Sequence, residues 1–293
     1  MRWPDLGLAL GVAAAVSTTA TAAQAQGRLD ARYTVTLAGV PIGKGAWVID
    51  IAENQFTAAA SGATAGLLRV LSSGQGSGAS RGYIVAGNPV PASFAASITS
   101  DKKTEEIRMT LGSGDIKEFV ITPQTPEDPE RVPVTEAHFH GVSDPMTGSL
   151  IRVPGHGDPV APQACQRTSP IFDGRMRYNL QFAYKRMEQV KTEKGYAGPV
   201  VVCSVYFQPL AGYVPHRTAI KYLVAQRDME VWLAPVAGTR VLVPYRVSIP
   251  TPIGVGVMQP TQFVSVAQPH AAAVSPKVQA VGPKVQAVSP KVQ

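Results

Sequence analysis

Apolar and polar residues alternate along most of this 293-residue chain. The stretches RLDARYTVTLAG, VPIGKGAWVIDIA, ENQFTAAASG, VPASFAASITS, TEEIRMTLG and DIKEFVITP each keep a period of two, and each closes on Gly, Pro, Asn or Asp. That pattern predicts successive antiparallel strands joined by short turns. It resumes after residue 165. RMRYNLQFAYKRMEQV sets Met176, Tyr178, Leu180, Phe182 and Tyr184 on one face, and PVVVCSVYFQPL, HRTAIKYLVA, MEVWLAPV, TRVLVPYRVSIP and GVGVMQPTQFVSV read as further strands. Strands at this spacing favour a mainly β fold, a sandwich or a curled antiparallel sheet of open-barrel or spiral-like form, over alternating βαβ units. Two segments predict short helices. ATAGLLRVLSS, residues 63–73, carries Leu67, Leu68 and Leu71 at helical spacing, and SDPMTGSLIRV, residues 143–153, offers Asp144 and Pro145 as cap and first position. The Pro-rich, charged TPQTPEDPERVPVTEAHFHGV between the halves is read as a long excursion within one domain, because neither half alone supplies a closed set of strands.

The ends change the picture of where the chain works. Arg2, an apolar run from Leu6 to Val16 and the Ala23-Gln24-Ala25 pattern read as a secretory signal peptide over residues 1–25. The run is short of the roughly 20 apolar residues that cross a bilayer. No later segment is long and apolar enough to do so. At the other end, AVSPKVQ, AVGPKVQ and AVSPKVQ repeat from Ala273 to Gln293, and a Pro in every unit is incompatible with a coiled coil. Residues 269–293 are therefore expected to be a disordered, polyproline-like tail. Residues 26–268 remain as a single β-rich domain, expected in the periplasm. The net charge of +7 falls to +4 once Lys277, Lys284 and Lys291 of the tail are set aside, too little and too scattered for a nucleic-acid footprint.

Candidate chemistry is sparse. Cys165 and Cys203 are the chain's only cysteines. In an exported chain such a pair reads as a disulfide, since a metal or nucleophile role would call for a local C-x-x-C or a positioned base. GASRG, Gly78 to Gly82, matches G-x-S-x-G around Ser80, but a nucleophile elbow sits between a buried strand and a helix, and no helical stripe follows here. GQGSGA matches a dinucleotide fingerprint without its βαβ setting, so no cofactor is expected. His138 and His140 in HFH, with His156 nearby and Asp144 or Asp158 as a fourth group, could form a zinc site. The densest charged group is Asp173, Arg175 and Arg177, with Tyr178 beside them. Arginines can grip a carboxylate or phosphate bidentately, and the structural alternative is an Asp173-Gly174 turn that opens a hairpin with the arginines on its solvent side.

Several of these features coincide in one known family. Tyr33, Val35, Leu37, Gly39 and Gly43 near the start, Asp144-Pro145, FDGRMRYNL following Cys165, LAGY following Cys203, and Trp232, Pro244, Arg246, Thr251 and Gly254 near the end resemble the exported bacterial family DUF3108. The resemblance covers most of residues 30–256 and implies a periplasmic, mostly β protein that brings no catalytic residue with it. The function expected is non-enzymatic support of cell-envelope integrity, through a lipid-like or glycan ligand or a periplasmic partner protein, with Asp173, Arg175, Arg177 and Tyr178 as ligand-binding candidates. The alternative is an envelope hydrolase that uses Ser80 or a zinc ion on His138, His140 and His156.

Overall fold

The computed structural model describes residues 26–65, 74–101, 103–124 and 128–268. The expected signal peptide, the repeat tail and residues 66–73 of the first expected helix lie outside them, and Ala63 and Thr64 end a strand. The first seven strands form a meander in chain order: β1 (Gly27–Leu37), β2 (Val40–Ile51), β3 (Gln55–Thr64), β4 (Gly74–Val85), β5 (Asn88–Ser100), β6 (Lys103–Gly112) and β7 (Asp115–Thr122). Three of its turns are the two-residue pairs Ala38-Gly39, Ala86-Gly87 and Ser113-Gly114, with positive φ at both positions. This is the turn geometry whose twist matches that of the flanking strands.

An excursion of three short 3-10 turns and the two-residue strand β8 (Ile151–Arg152) follows. The second half supplies β9 (Arg167–Phe172), β10 (Arg177–Lys191), β11 (Lys194–Gly195), β12 (Ala197–Ala211), helix α1 (Thr218–Ala225), β13 (Glu230–Pro235), β14 (Val241–Thr251) and β15 (Gly254–Ala267). All strands join one sheet of order β7-β6-β5-β4-β3-β2-β1-β15-β14-β13-β12-β10-β9, with β8 on β14 and β11 on β15. First and last strands therefore meet in its middle, with Leu29 opposite Ser265.

The sheet is open, because its edge strands β7 and β9 share no ladder. Laid flat, thirteen strands at about 4.8 Å spacing would separate those edges by about 58 Å. Instead the rings of Phe119 on β7 and Phe172 on β9 lie 5.3 Å apart, with Phe139 of the excursion against both. The sheet is curled until its edges meet through side chains.

Inside the curl, Leu29, Ala31, Trp47, Ile49 and Phe56 pack with Val200, Val202, Trp232, Val243 and Phe263. The opposite face of β12, β13 and β14 is buried too. Val201, Cys203, Leu233 and Leu242 lie under Ile151, Val153, Val160 and Cys165 of the excursion. Burial on both faces is why PVVVCS, EVWLAP and VLVPY read as continuous apolar runs while the meander alternates.

Two expected elements differ. SDPMTGSLIRV holds only the 3-10 turn Thr147–Ser149, which ends as Ile151 enters β8. HRTAIKYLVA, expected as a strand, forms α1. A short apolar run fits both periods, and here Ile220, Leu223 and Val224 follow the helical one.

Candidate functional site

The hairpin between β9 and β10 forms as its sequence predicts. The Asp173 N–H donates to the Met176 carbonyl (3.2 Å). The Asp173 Oδ1 accepts the N–H groups of Arg175 (2.8 Å) and Met176 (2.7 Å), so the carboxylate is spent on its own turn. Burial raises the Asp173 pKa, and those two N–H groups oppose the shift. Arg175 crosses the seam of the curl to grip Glu105 of β6 with both Nε and Nη2. Arg177 donates from Nη1 to the Tyr178 carbonyl (2.7 Å) and the Asn179 Oδ1 (2.8 Å), and burial lowers its pKa. The Tyr178 ring packs on Phe207 at 5.4 Å, and burial raises its pKa. The geometry thus engages all four candidates with the protein itself. Arg175→Ala and Glu105→Ala should each cost about 1 kcal/mol, with a coupling of about 0.5–1 kcal/mol in a double-mutant cycle, because the pair is partly exposed and screened. Urea denaturation measures both quantities, and additive single costs would mean that the clasp contributes nothing.

The family-like motifs interlock here. A Cβ on Gly212 of LAGY, where φ is +79°, would meet the Arg175 carbonyl oxygen of FDGRMRY at 1.8 Å. Only glycine lets these two backbones touch. Near the other end, Trp232 donates to the Glu188 Oε2 (2.7 Å) while the guanidiniums of Arg186 and Arg246 lie 5.3 and 4.7 Å from its ring.

Ser80 lies within β4, away from any strand-to-helix elbow. It is buried, and its Oγ donates to the Asp144 Oδ2 (2.9 Å) and lies 2.9 Å from the Thr147 Oγ1. The fully buried Asp144 also accepts the Thr147 hydroxyl (2.6 Å) on Oδ2 and the N–H groups of Met146 (2.9 Å) and Thr147 (3.0 Å) on Oδ1. Desolvation raises its pKa despite these four donors. This knot pins the 3-10 turn of the excursion to the inner face of β4. It has no imidazole among those contacts, and a serine held this way is an anchor.

The histidines do not come together. His138 Nδ1 accepts the Thr135 N–H (3.0 Å), His140 faces Asp115 (3.4 Å), and His156 sits exposed in the Gly155–Gly157 loop. Among the described residues no three His, Cys, Asp or Glu side chains are grouped to hold a metal ion. His138 serves its own turn and His140 an acid of β7, so the structure does not bring the three imidazoles of the zinc reading together. The two cysteines are joined, with their sulfurs 2.04 Å apart and both residues fully buried.

The feature that the sequence reading missed is a groove of about 780 Å³ between α1 and the β10–β12 hairpin. Gln181 and Tyr206, directly paired across the two strands, form its floor with Gln208, whose Nε2 donates to the Gln181 Oε1 (3.0 Å). The helix contributes Ile220, Lys221 and Val224, and no residue of α1 is buried. Arg227 closes one end, its guanidinium 5.9 Å from the Tyr206 ring. The missed signal is the Ile220–Val224 spacing, legible once HRTAIKYLVA is read with a period of 3.6.

Residues 32–259 match the family described as "Protein of unknown function (DUF3108)". The chain belongs to the DUF3108 family. The residues that carried the resemblance are largely those that build this DUF3108 fold, in the hairpin turn, the Gly212 contact and the Asp144 knot. No curated protein matches the sequence. Among solved structures it is similar to a crystal structure of a beta-barrel-like protein of domain of unknown function DUF1849 from Brucella abortus, at 7% identity and a TM-score of 0.42, covering 84% of this chain and all of that one. Among the described residues no helix is long and apolar enough to cross a membrane.

Proposed function

We propose that this protein is an exported, non-enzymatic component of the bacterial envelope that binds a lipid-like anionic amphiphile in the groove between α1 and the β10–β12 hairpin, in support of envelope integrity. One observation carries the reading. The groove has the size of a small-molecule site and pairs an apolar, aromatic wall of Tyr206, Phe207, Ile220 and Val224 with two cations, Lys221 and Arg227. An acyl chain suits the wall and an acidic head suits the cations. The buried disulfide fits an oxidising compartment.

A dansyl-labelled fatty acid titrated into the purified protein is expected to bind saturably. Val224→Asp alters a residue that is 42% exposed, so the fold should survive. It places a carboxylate against the acyl chain and should weaken binding by about tenfold or more. An unchanged affinity would overturn the groove as the site. Saturable binding of an envelope oligosaccharide but not of the fatty acid would make the ligand a glycan.

A further inference from the structure

A second cavity, of about 130 Å³, lies beneath the β4–β5 turn, away from the groove. Asn88 and Pro89 at the start of β5, the excursion from Ser143 to Leu150, Arg152 of β8 and the Arg167, Ser169 and Pro170 of β9 enclose it. Two of these side chains are guanidiniums and none is a carboxylate.

Several other arginines have carboxylate partners. Arg28 meets Asp50, Arg175 meets Glu105 and Arg186 meets Glu188 and Glu230. Arg152 and Arg167 differ: among the described residues neither side chain makes an ion pair or a hydrogen bond, and the Arg167 Nε is buried without a partner. Burial alone lowers the Arg167 pKa, with no opposing charge to offset it. A guanidinium nitrogen shut off from water and left without an acceptor is unfavourable unless something else supplies one. Arg152 is held close by design of the turn. A Cβ on Gly87 would lie 2.5 Å from its Nε, so a glycine admits the guanidinium against the β4–β5 backbone.

Asp144 does not fill the role. It is absent from the cavity wall, and its two oxygens are engaged by Ser80, Thr147 and the Met146 N–H. The cavity holds about four waters' share of liquid volume. That is room for one small charged group and too little for an acyl chain. Guanidiniums match the planar or tetrahedral oxygens of carboxylate and phosphate through paired N–H donors.

We propose that this cavity is an oxyanion site in which Arg152 and Arg167 together hold one phosphate or carboxylate group, either a free ion or the head of a larger molecule lying outside. It is separate from the amphiphile groove and stands whether or not that groove binds a ligand.

Isothermal titration of the purified protein at constant ionic strength, with inorganic phosphate, acetate and glycerol 3-phosphate, tests it. Saturable binding of phosphate or acetate is expected. Arg167→Met should weaken it by about tenfold to a hundredfold, as loss of charge-assisted hydrogen bonds does. Because Arg167 is largely buried, Arg152→Gln provides a second variant, expected to keep the fold by circular dichroism and to lose about tenfold in affinity. Binding of glycerol 3-phosphate as tightly as phosphate would support a head group as the source, and its exclusion would support a free ion. No saturable heat with any of the three anions, or an affinity unchanged in folded Arg152→Gln, would overturn the proposal.

Discussion

Replacing Cys165 and Cys203 together by alanine is expected to lower the midpoint of thermal unfolding by about 8–16 °C. The bridge joins residues 38 positions apart, and closing a loop of that length in the unfolded chain is worth about 4 kcal/mol on the chain-entropy model. A domain of this size loses about 2–4 °C per kcal/mol. The place of the bridge makes that figure credible for the folded side as well. Cys165 ends the last 3-10 turn of the excursion, and Cys203 lies in the centre of β12, so the bond pins the lid of Val153, Val160 and Ala164 over Val201, Leu233 and Leu242. Calorimetry of the double variant, beside the wild type with and without dithiothreitol, measures the loss, and reduced wild type should converge on the variant. A shift under about 3 °C would mean that apolar packing alone holds the lid.

The same lid explains what the sequence could and could not reveal about the fold. Strands with one wet face announce themselves by alternation, and the meander from β1 to β7 is legible for that reason. β12, β13 and β14 are also legible, as apolar runs, but the runs do not say what covers their second face. The answer, residues 151–165, looks like a polar loop, PGHGDPVAPQAC, because its backbone turns repeatedly and only Ile151, Val153, Val160, Ala164 and Cys165 point down. The curl was likewise out of reach. It is fixed by contacts between Phe119, Phe139 and Phe172 and between Arg175 and Glu105, pairs separated by 20 to 70 positions.

For the candidate sites, proximity in sequence proved a poor guide to chemistry. Asp173, Arg175, Arg177 and Tyr178 stood out because they are neighbours along the chain, yet Asp173 and Arg177 are spent within the hairpin while Arg175 is taken by Glu105, 70 positions away. The groups left with unspent capacity are remote from each other: Arg152 and Arg167, or Tyr206 and Val224. A guanidinium shows in the sequence, whereas the absence of its partner shows only in the fold. Ser80 was legible as a motif, yet its partner Asp144 lies 64 positions away and turns a would-be nucleophile into a tether.

That tether carries the other large effect. Asp144→Ala should destabilise the protein by about 3–5 kcal/mol, because it leaves the buried N–H of Thr147, the part-buried N–H of Met146 and two hydroxyls without their acceptor, at about 1–3 kcal/mol for each group that finds no substitute. Asp144→Asn should cost far less, under about 1.5 kcal/mol. Its remaining oxygen can keep both backbone donors, and its amide can donate to the hydroxyls of Ser80 and Thr147, which rotate to accept. The two variants also read the charge of the carboxyl. Burial raises the folded-state pKa of Asp144 above its unfolded value. The fold then binds the proton more tightly than the unfolded chain, so this contribution is complete below the ordinary carboxylate range and is lost as pH rises through the raised value. Asp144→Asn stays neutral throughout. Its stability relative to wild type should therefore improve with pH across that window and level off above it, while Asp173, common to both proteins, cancels. Urea midpoints of the pair at several pH values decide the matter. A relative stability that falls with pH would mean that the four donors outweigh desolvation and that the ionised carboxylate is the form the fold selects, and a flat one that donors and desolvation balance.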